Sequence, residues 1–173
     1  EHYLICSPWQ IMTPAHEHAW KVDMAKETYA KIGGFDCTPD IATDEHEGGY
    51  RNKMEYSFTY GPDGAISFAF FERGDHHYHA LSNCFLAEPI INRVAEPILA
   101  WINKHNIPMR SLRSLIVRSN GQGQAIAALF IKDELTFPDF PSLTDELVGF
   151  QLYYSYYKTP AAVPTKLDRK SVV

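Results

Sequence analysis

Tyr50-Arg51-Asn52-Lys53-Met54-Glu55-Tyr56-Ser57-Phe58-Thr59-Tyr60, followed at once by Gly61-Pro62-Asp63-Gly64, decides the fold class. Side chains along a strand alternate between two faces. Tyr50, Asn52, Met54, Tyr56, Phe58 and Tyr60 would therefore line one face, and Arg51, Lys53, Glu55, Ser57 and Thr59 the other. The Gly-Pro-Asp-Gly run is a turn signal, so Ala65–Arg73 reads as the returning strand of a hairpin. Gly74-Asp75 turns the chain again, into a third strand near His77–Cys84.

Outward from this core, the spacing changes to three and four. Pro89 opens a helix with Ile91, Val94, Ile98 and Ile102 on one face, and Pro97 inside it costs a hydrogen bond or kinks it. Asn106–Pro108 ends the helix. Leu112–Ser119 and Ala125–Asp133 read as two strands joined by Asn120-Gly121-Gln122-Gly123. Residues 136–147 read as loop with one helical turn, and Val148–Tyr157 as a last, aromatic strand. Upstream, Thr13 caps and Pro14 starts a helix whose stripe is Ala15, Ala19, Val22, Ala25, Tyr29 and Ile32, closed by Gly33-Gly34. Residues 36–49 are acidic and turn-rich. The expected fold is α+β, with two main helices and a largely antiparallel sheet, because hairpins need no crossover helices.

Composition narrows the function classes. The chain has 173 residues, 45% of them hydrophobic and 21% charged, which excludes collagen-like and wholly disordered readings. No stretch has the length of apolar residues that a membrane helix requires. The net charge of −5 conceals a gradient: residues 1–49 carry −6, residues 50–120 carry +2, and residues 121–173 carry −1. A polyanion would thus meet the middle third. Cys6, Cys37 and Cys84 form no CxxC pair, which points to a reducing cytoplasm rather than a disulfide framework.

Several constellations have plainer readings. His77 and His79 share a strand face and could ligate zinc, but no third ligand stands at a supportive spacing, and no metal site is expected. Three cysteines do not make the usual four-thiolate iron–sulfur set. Gly121-Gln122-Gly123 lacks the length, the Lys and the following helix of a phosphate loop. Arg51 and Lys53 are different. In a strand they point the same way about 7 Å apart, a spacing that suits neighbouring phosphates of a nucleic acid. Arg118-Ser119-Asn120, at a strand end beside a glycine turn, is a second polar tip of the same kind.

Gly49-Tyr50-Arg51-Asn52-Lys53 before an aromatic strand resembles the hallmark of the class I S-adenosylmethionine-dependent RNA (uracil-5-)-methyltransferases, the family that makes 5-methyluridine in tRNA and rRNA. Cys6-Ser7-Pro8-Trp9-Gln10 before a Lys-containing helix resembles the segment after, or replacing, the family's cysteine motif. His79-Ala80-Leu81 before Cys84 resembles its next block, and Val117-Arg118-Ser119-Asn120 with Gln124-Ala125 its later strands. Tyr157-Lys158-Thr159-Pro160-Ala161 resembles the stretch before its catalytic domain. The resemblance runs from about Tyr3 to Leu167.

It implies an enzyme in which a Cys adds to C6 of a flipped-out uracil, C5 takes the methyl group, and a base removes the C5 proton. Neither the family's Cys-Asn-Pro nucleophile motif nor a glycine-rich cofactor turn occurs in this sequence. The resemblance therefore implies the central, RNA-contacting part of such an enzyme, inactive alone, with S-adenosyl-L-methionine bound by a missing domain and no catalytic or cofactor-binding residue here. Residues 1–46 would carry a helix that packs on that domain, 47–158 the RNA-contacting domain, and 159–167 a linker. Residues 168–173 match the translation of a sequencing adapter, GAT CGG AAG AGC GTC GTG, and read as foreign. The RNA-binding residues implied are Arg51, Asn52, Lys53, Arg118 and Asn120, with Arg51 and Lys53 on phosphate and Asn52 bracing the strand. Cys84 matches a distal cluster-ligand position, but the compact upstream Cys triplet is absent, which argues against an iron–sulfur cluster. The implied partner is structured RNA, tRNA or rRNA, with no DNA and no membrane, and a full-length monomer. The rival readings are a stand-alone RNA- or partner-binding module without chemistry and, third, a metal-dependent protein using the histidine run.

Overall fold

The computed structural model describes residues 5–33, 38–43, 46–75, 77–156, 158 and 163–172, the last five as backbone only. Gly34, Cys37, His76, Tyr157, Thr159, Pro160 and Ala161, all used in the sequence reading, lie outside the described residues. The chain divides into two units, Glu1–Glu47 and Gly48–Val173.

In the first unit a short 3-10 turn, Pro8–Ile11, precedes helix α1, Pro14–Gly33. Thr13 opens α1 as expected: its carbonyl accepts from the Glu17 N–H at 3.0 Å and its Oγ1 from the His16 N–H at 3.4 Å. Lys21–Glu17 and Lys31–Glu27 pair one turn apart. No α1 residue is buried, and Trp20, Met24, Tyr29 and Ile32 are exposed.

The second unit is a seven-stranded sheet with one helix on one face. The strands are β1 Lys53–Tyr60, β2 Ile66–Phe71, β3 Tyr78–Leu81, β4 Leu112–Ser119, β5 Ala125–Ile131, β6 Leu147–Tyr154 and β7 Lys166–Val172, in the order β3-β2-β1-β4-β5-β6-β7. The α+β expectation holds, and every neighbouring pair is antiparallel except β5 with β6. The decisive hairpin forms as read. Ala65 O accepts from the Gly61 N–H at 2.7 Å, the Asp63 carboxylate accepts from the Ala65 N–H at 3.0 Å, and Gly64 takes φ +79°, where a side chain would be strained.

Helix α2, Pro89–Lys104, buries Ile90, Ile91, Val94, Ala95, Ile98, Trp101 and Ile102 against β2, β4 and β5. The sheet meets it with Met54, Tyr56, Phe58, Phe68, Leu115, Val117, Leu129, Phe150 and Leu152. Pro97 lies on the exposed side of α2, and the helix continues through it. Two asparagines stitch α2 to the chain around it. Asn92 bonds both the N–H and the carbonyl of Cys84 at 3.1 Å, and Asn103 does the same for Ile66 at 2.9 Å. Among the described residues, no helix is long and apolar enough to cross a membrane.

Three expectations change. β1 starts at Lys53, not Tyr50, because Arg51 bridges Ala87 instead of continuing the ladder. No helical turn forms in 136–147: Pro138 and Pro141 interrupt the segment, and it crosses the end of α2 as irregular chain. This passage is what lets β6 lie parallel to β5. Finally, Lys166–Val172 forms a strand antiparallel to β6, although the sequence reads 168–173 as foreign to the fold. The β6 edge offers backbone groups that pair without regard to side chains, so sequence origin places little restriction on what can add there.

Asp139 fastens the crossing segment. Its carboxylate accepts from Trp101 Nε1 at 2.8 Å and Lys104 Nζ at 2.7 Å, and lies 2.6 Å from His105 Nε2. These bonds, that of Lys104 first, hold its pKa down to about 2 from 3.8. A carboxyl whose folded value lies below its unfolded one adds stability above the unfolded value and loses it as pH falls through the folded one. Asp139→Asn should therefore melt below the parent protein at pH 7, with the gap closing between about pH 4 and pH 2. Thermal melts across that range test this, and a gap that ignores pH counts against it.

Candidate nucleic-acid interface

The sheet face away from α2 is built by the residues that alternate with the core. β1 offers Lys53, Glu55, Ser57 and Thr59 there, while Met54, Tyr56 and Phe58 are buried. The register of β1 on β4 places Lys53 directly opposite Arg118, Met54 opposite Val117 and Glu55 opposite Ile116. Lys53 and Arg118 are both exposed, on neighbouring strands. Adjacent strands lie about 4.8 Å apart, and like charges set directly opposite each other are destabilising. Glu55 Oε2 stands 3.9 Å from Lys53 Nζ and relieves part of this. Arg118 has no acidic partner among the described residues. A pairing that costs folding free energy and repeats one sign is a mark of a surface shaped for a ligand of the other sign.

Arg51 is fixed at the same end of the sheet by its backbone. Its N–H donates to Leu86 O at 2.8 Å and its carbonyl accepts from the Glu88 N–H at 3.0 Å. Its side chain is partly exposed and forms no ion pair among the described residues. Asn52 is exposed, and its carbonyl accepts from the Ser119 N–H at 2.8 Å, tying the start of β1 to the end of β4. Asn120 works inside its own turn: Oδ1 accepts from the N–H groups of Gln122 at 2.8 Å and Gln124 at 3.2 Å, and Nδ2 donates to Gln124 Oε1 at 3.1 Å. Thus the ladder sets Lys53 opposite Arg118, and Asn52 and Asn120 bond the backbone around them. Arg51 lies outside β1, bridged to Ala87, so the single strand face expected to carry Arg51 and Lys53 together does not reach Arg51.

The histidine run gains partners that spacing along the chain concealed. Ligand atoms of Glu72, Asp75 and His77 lie within 4.8 Å of one another at the β2–β3 turn. His77 Nδ1 is 2.8 Å from Asp75, and His79 Nε2 is 3.0 Å from Glu72. Glu72 is the residue the sequence reading missed, because it comes from the strand before the turn. Each imidazole is engaged with its own carboxylate. Cys6 and Cys84 are buried, one in each unit.

Among the described residues, no glycine turn of the kind that holds S-adenosylmethionine is formed. Such a site uses a glycine turn that joins a strand to a helix N-terminus. Here Gly61 and Gly64 lie in the β1–β2 turn, Gly74 in β2–β3, and Gly121 and Gly123 in β4–β5, all between strands, while Gly48 and Gly49 precede β1 and follow no strand among the described residues. The segment that enters α2, Leu86-Ala87-Glu88-Pro89, contains no glycine.

No family model matches the chain. It is similar to an uncharacterized RNA methyltransferase of Parasynechococcus marenigrum, 29% identical over 90 residues that cover 51% of this chain and 19% of that protein. It is also similar to one of Lactococcus lactis, 24% identical over 107 residues, 57% of this chain and 21% of that protein. One from a Nostoc species is 27% identical over 104 residues, 59% of this chain and 22% of that protein. The chain thus spans about a fifth of the length of these relatives. In fold it matches the crystal structure of Pyrococcus abyssi tRNA (uracil-54, C5)-methyltransferase in complex with S-adenosyl-L-homocysteine. The TM-score is 0.64 and the identity 13%, over 90% of this chain and 39% of that one. By sequence this chain resembles a stretch of the RNA methyltransferases, and by fold a part of a tRNA uracil-C5 methyltransferase.

Proposed function

We propose that this chain is the RNA-gripping portion of a cytoplasmic, S-adenosylmethionine-dependent RNA methyltransferase that methylates C5 of uridine in tRNA or rRNA. Arg51, Lys53 and Arg118 contact phosphate, and Asn52 and Asn120 brace the strand ends that present them. The observation that carries the reading is the exposed Lys53–Arg118 pair, set opposite each other at a cost to the sheet. Methyl transfer, the nucleophilic Cys and the cofactor belong to residues outside this chain. The exposed Trp20, Met24 and Tyr29 of α1 are apolar surface suited to burial against such a further domain.

Binding of the 173-residue chain to a folded tRNA transcript, followed by fluorescence anisotropy across a salt series, tests the proposal. Each neutralised phosphate releases counterions and contributes about −0.7 to −0.9 to the slope of log affinity against log salt. Three cations predict a slope of about −2 to −2.7. A flat line, or no binding at low salt, overturns the reading.

A further inference from the structure

The sheet face that carries Lys53 and Arg118 also holds a small hollow of about 180 Å³, lined by Arg118, Ser119, Asn120, Gln124, Ala125, Ile126 and Val148. The ladder explains it. Ile126 lies directly opposite Arg118 on β5, so Lys53, Arg118 and Ile126 form one row across three strands. Between β5 and β6 the register slips, Ala125 facing Leu147 and Ile126 facing Gly149, so that Val148 is the extra residue. A bulge of this kind re-aims a side chain, and here Val148 joins Ile126 in the floor. Ile126 is 46% exposed, a large aliphatic group left open in the middle of a sheet.

The rim is polar and held still. Ser119 Oγ accepts from the Gly121 N–H at 3.0 Å, and Asn120 ties down Gln122 and Gln124. Gln124 Oε1 is engaged by Asn120, while its amide nitrogen and the Arg118 guanidinium make no hydrogen bond among the described residues. A rigid rim loses little freedom when a ligand arrives.

We infer that this hollow seats an unstacked nucleobase of single-stranded RNA: the base lies on Ile126 and Val148, the Gln124 amide meets its polar edge, and Arg118 and Lys53 hold the adjoining phosphates. The inference rests on the RNA-contacting reading above and adds to it a preference for unpaired nucleotides. Sequence-tolerant single-strand sites combine a cationic track with apolar or aromatic seats in this way, since unpaired bases are free to leave the stack. Charge selects this hollow over two larger ones that flank α2 among the described residues. One of these contains Asp63 and Glu96, and in the other Arg93 and Lys104 are already paired with Glu146 and Asp139.

Fluorescence anisotropy with two probes, a single-stranded oligouridine RNA and a duplex RNA of equal phosphate count, separates the possibilities. Ile126→Ala should weaken oligouridine binding about fivefold, the lower end of the range for losing a base platform. It should leave duplex affinity and the salt slope of both probes unchanged. Ile126→Phe, which enlarges the platform, should restore or improve oligouridine binding. Equal oligouridine affinity for the parent and Ile126→Ala proteins overturns the inference while leaving the phosphate contacts standing. An equal loss on both probes also overturns it. Failure of the parent protein to bind either probe sinks the RNA reading itself.

Discussion

Replacing Trp101 by alanine should lower the unfolding free energy by about 3–5 kcal/mol, the range for removing a large aromatic group from a core. Trp101 is 6% exposed, and its ring meets His105, Phe137, Phe140 and Phe150 with centroids 4.9 to 6.2 Å apart. Phe137 and Phe140 belong to the irregular segment that carries the chain from β5 to β6. A parallel pair requires the chain to travel back along the sheet before pairing again, usually in a helix. Here no helix does this, so the segment depends on what it packs against. The Trp101 ring supplies the apolar contact, and its indole N–H donates to Asp139. Beyond the loss of stability, the amides of Leu147–Tyr154 should exchange faster in Trp101→Ala, because the segment that positions β6 has lost its anchor. Trp101→Phe, which keeps a ring and loses the N–H, should recover most of the deficit. Urea unfolding and amide exchange read both effects, and an Ala variant within about 1 kcal/mol of the parent would contradict this account.

The contrast between α2 and that crossing segment shows what was legible in the sequence. Ile91, Val94, Ile98 and Ile102 recur at helical spacing after Pro89, and the helix they specify buries all four. The β1–β2 hairpin is equally local: alternation from Met54 to Phe58 and a Gly-Pro-Asp-Gly turn suffice. Direction and partnership are not local. Pro138, Pro141 and the acids around them mark the segment as mostly loop, yet the helical turn also expected there does not form, and nothing in them says whether the following strand runs with β5 or against it. Arg51 and Lys53 announce themselves together, whereas the apposition of Lys53 and Arg118 exists only because β4 returns beside β1 after α2. The same holds for Glu72 and His79, which meet across a hairpin, and for Ile126 and Val148, which meet through a register slip that leaves no mark in residue types. The interface was thus readable as a set of candidate cations, while the geometry that makes it a surface depended on sheet order.

That geometry makes a prediction in which stability and binding move in opposite directions. Lys53→Ala, Arg118→Ala and the double variant should each weaken RNA binding, with the double variant flattening the salt slope by about 1.4 to 1.8, the share of two phosphates. The same substitutions should leave the fold at least as stable as the parent. Either single change removes the repulsion between groups placed directly opposite each other, a gain of about 0.2–1 kcal/mol at low salt. Because the side chains are exposed, screening should shrink the gain as salt rises. The double variant should be no more stable than the better single one, since one repulsion can be relieved only once, and a double-mutant cycle would record that coupling. A residue kept for packing behaves otherwise: its loss lowers stability, and binding falls with it. Were Lys53→Ala and Arg118→Ala both to destabilise the fold while the RNA salt slope stayed at the parent value, the pair would be a structural feature of the β1–β4 ladder, and the phosphate-contacting role would have to pass to another surface. The predicted pattern, tighter folding with looser binding, is the signature of charges held together for a ligand that neutralises them.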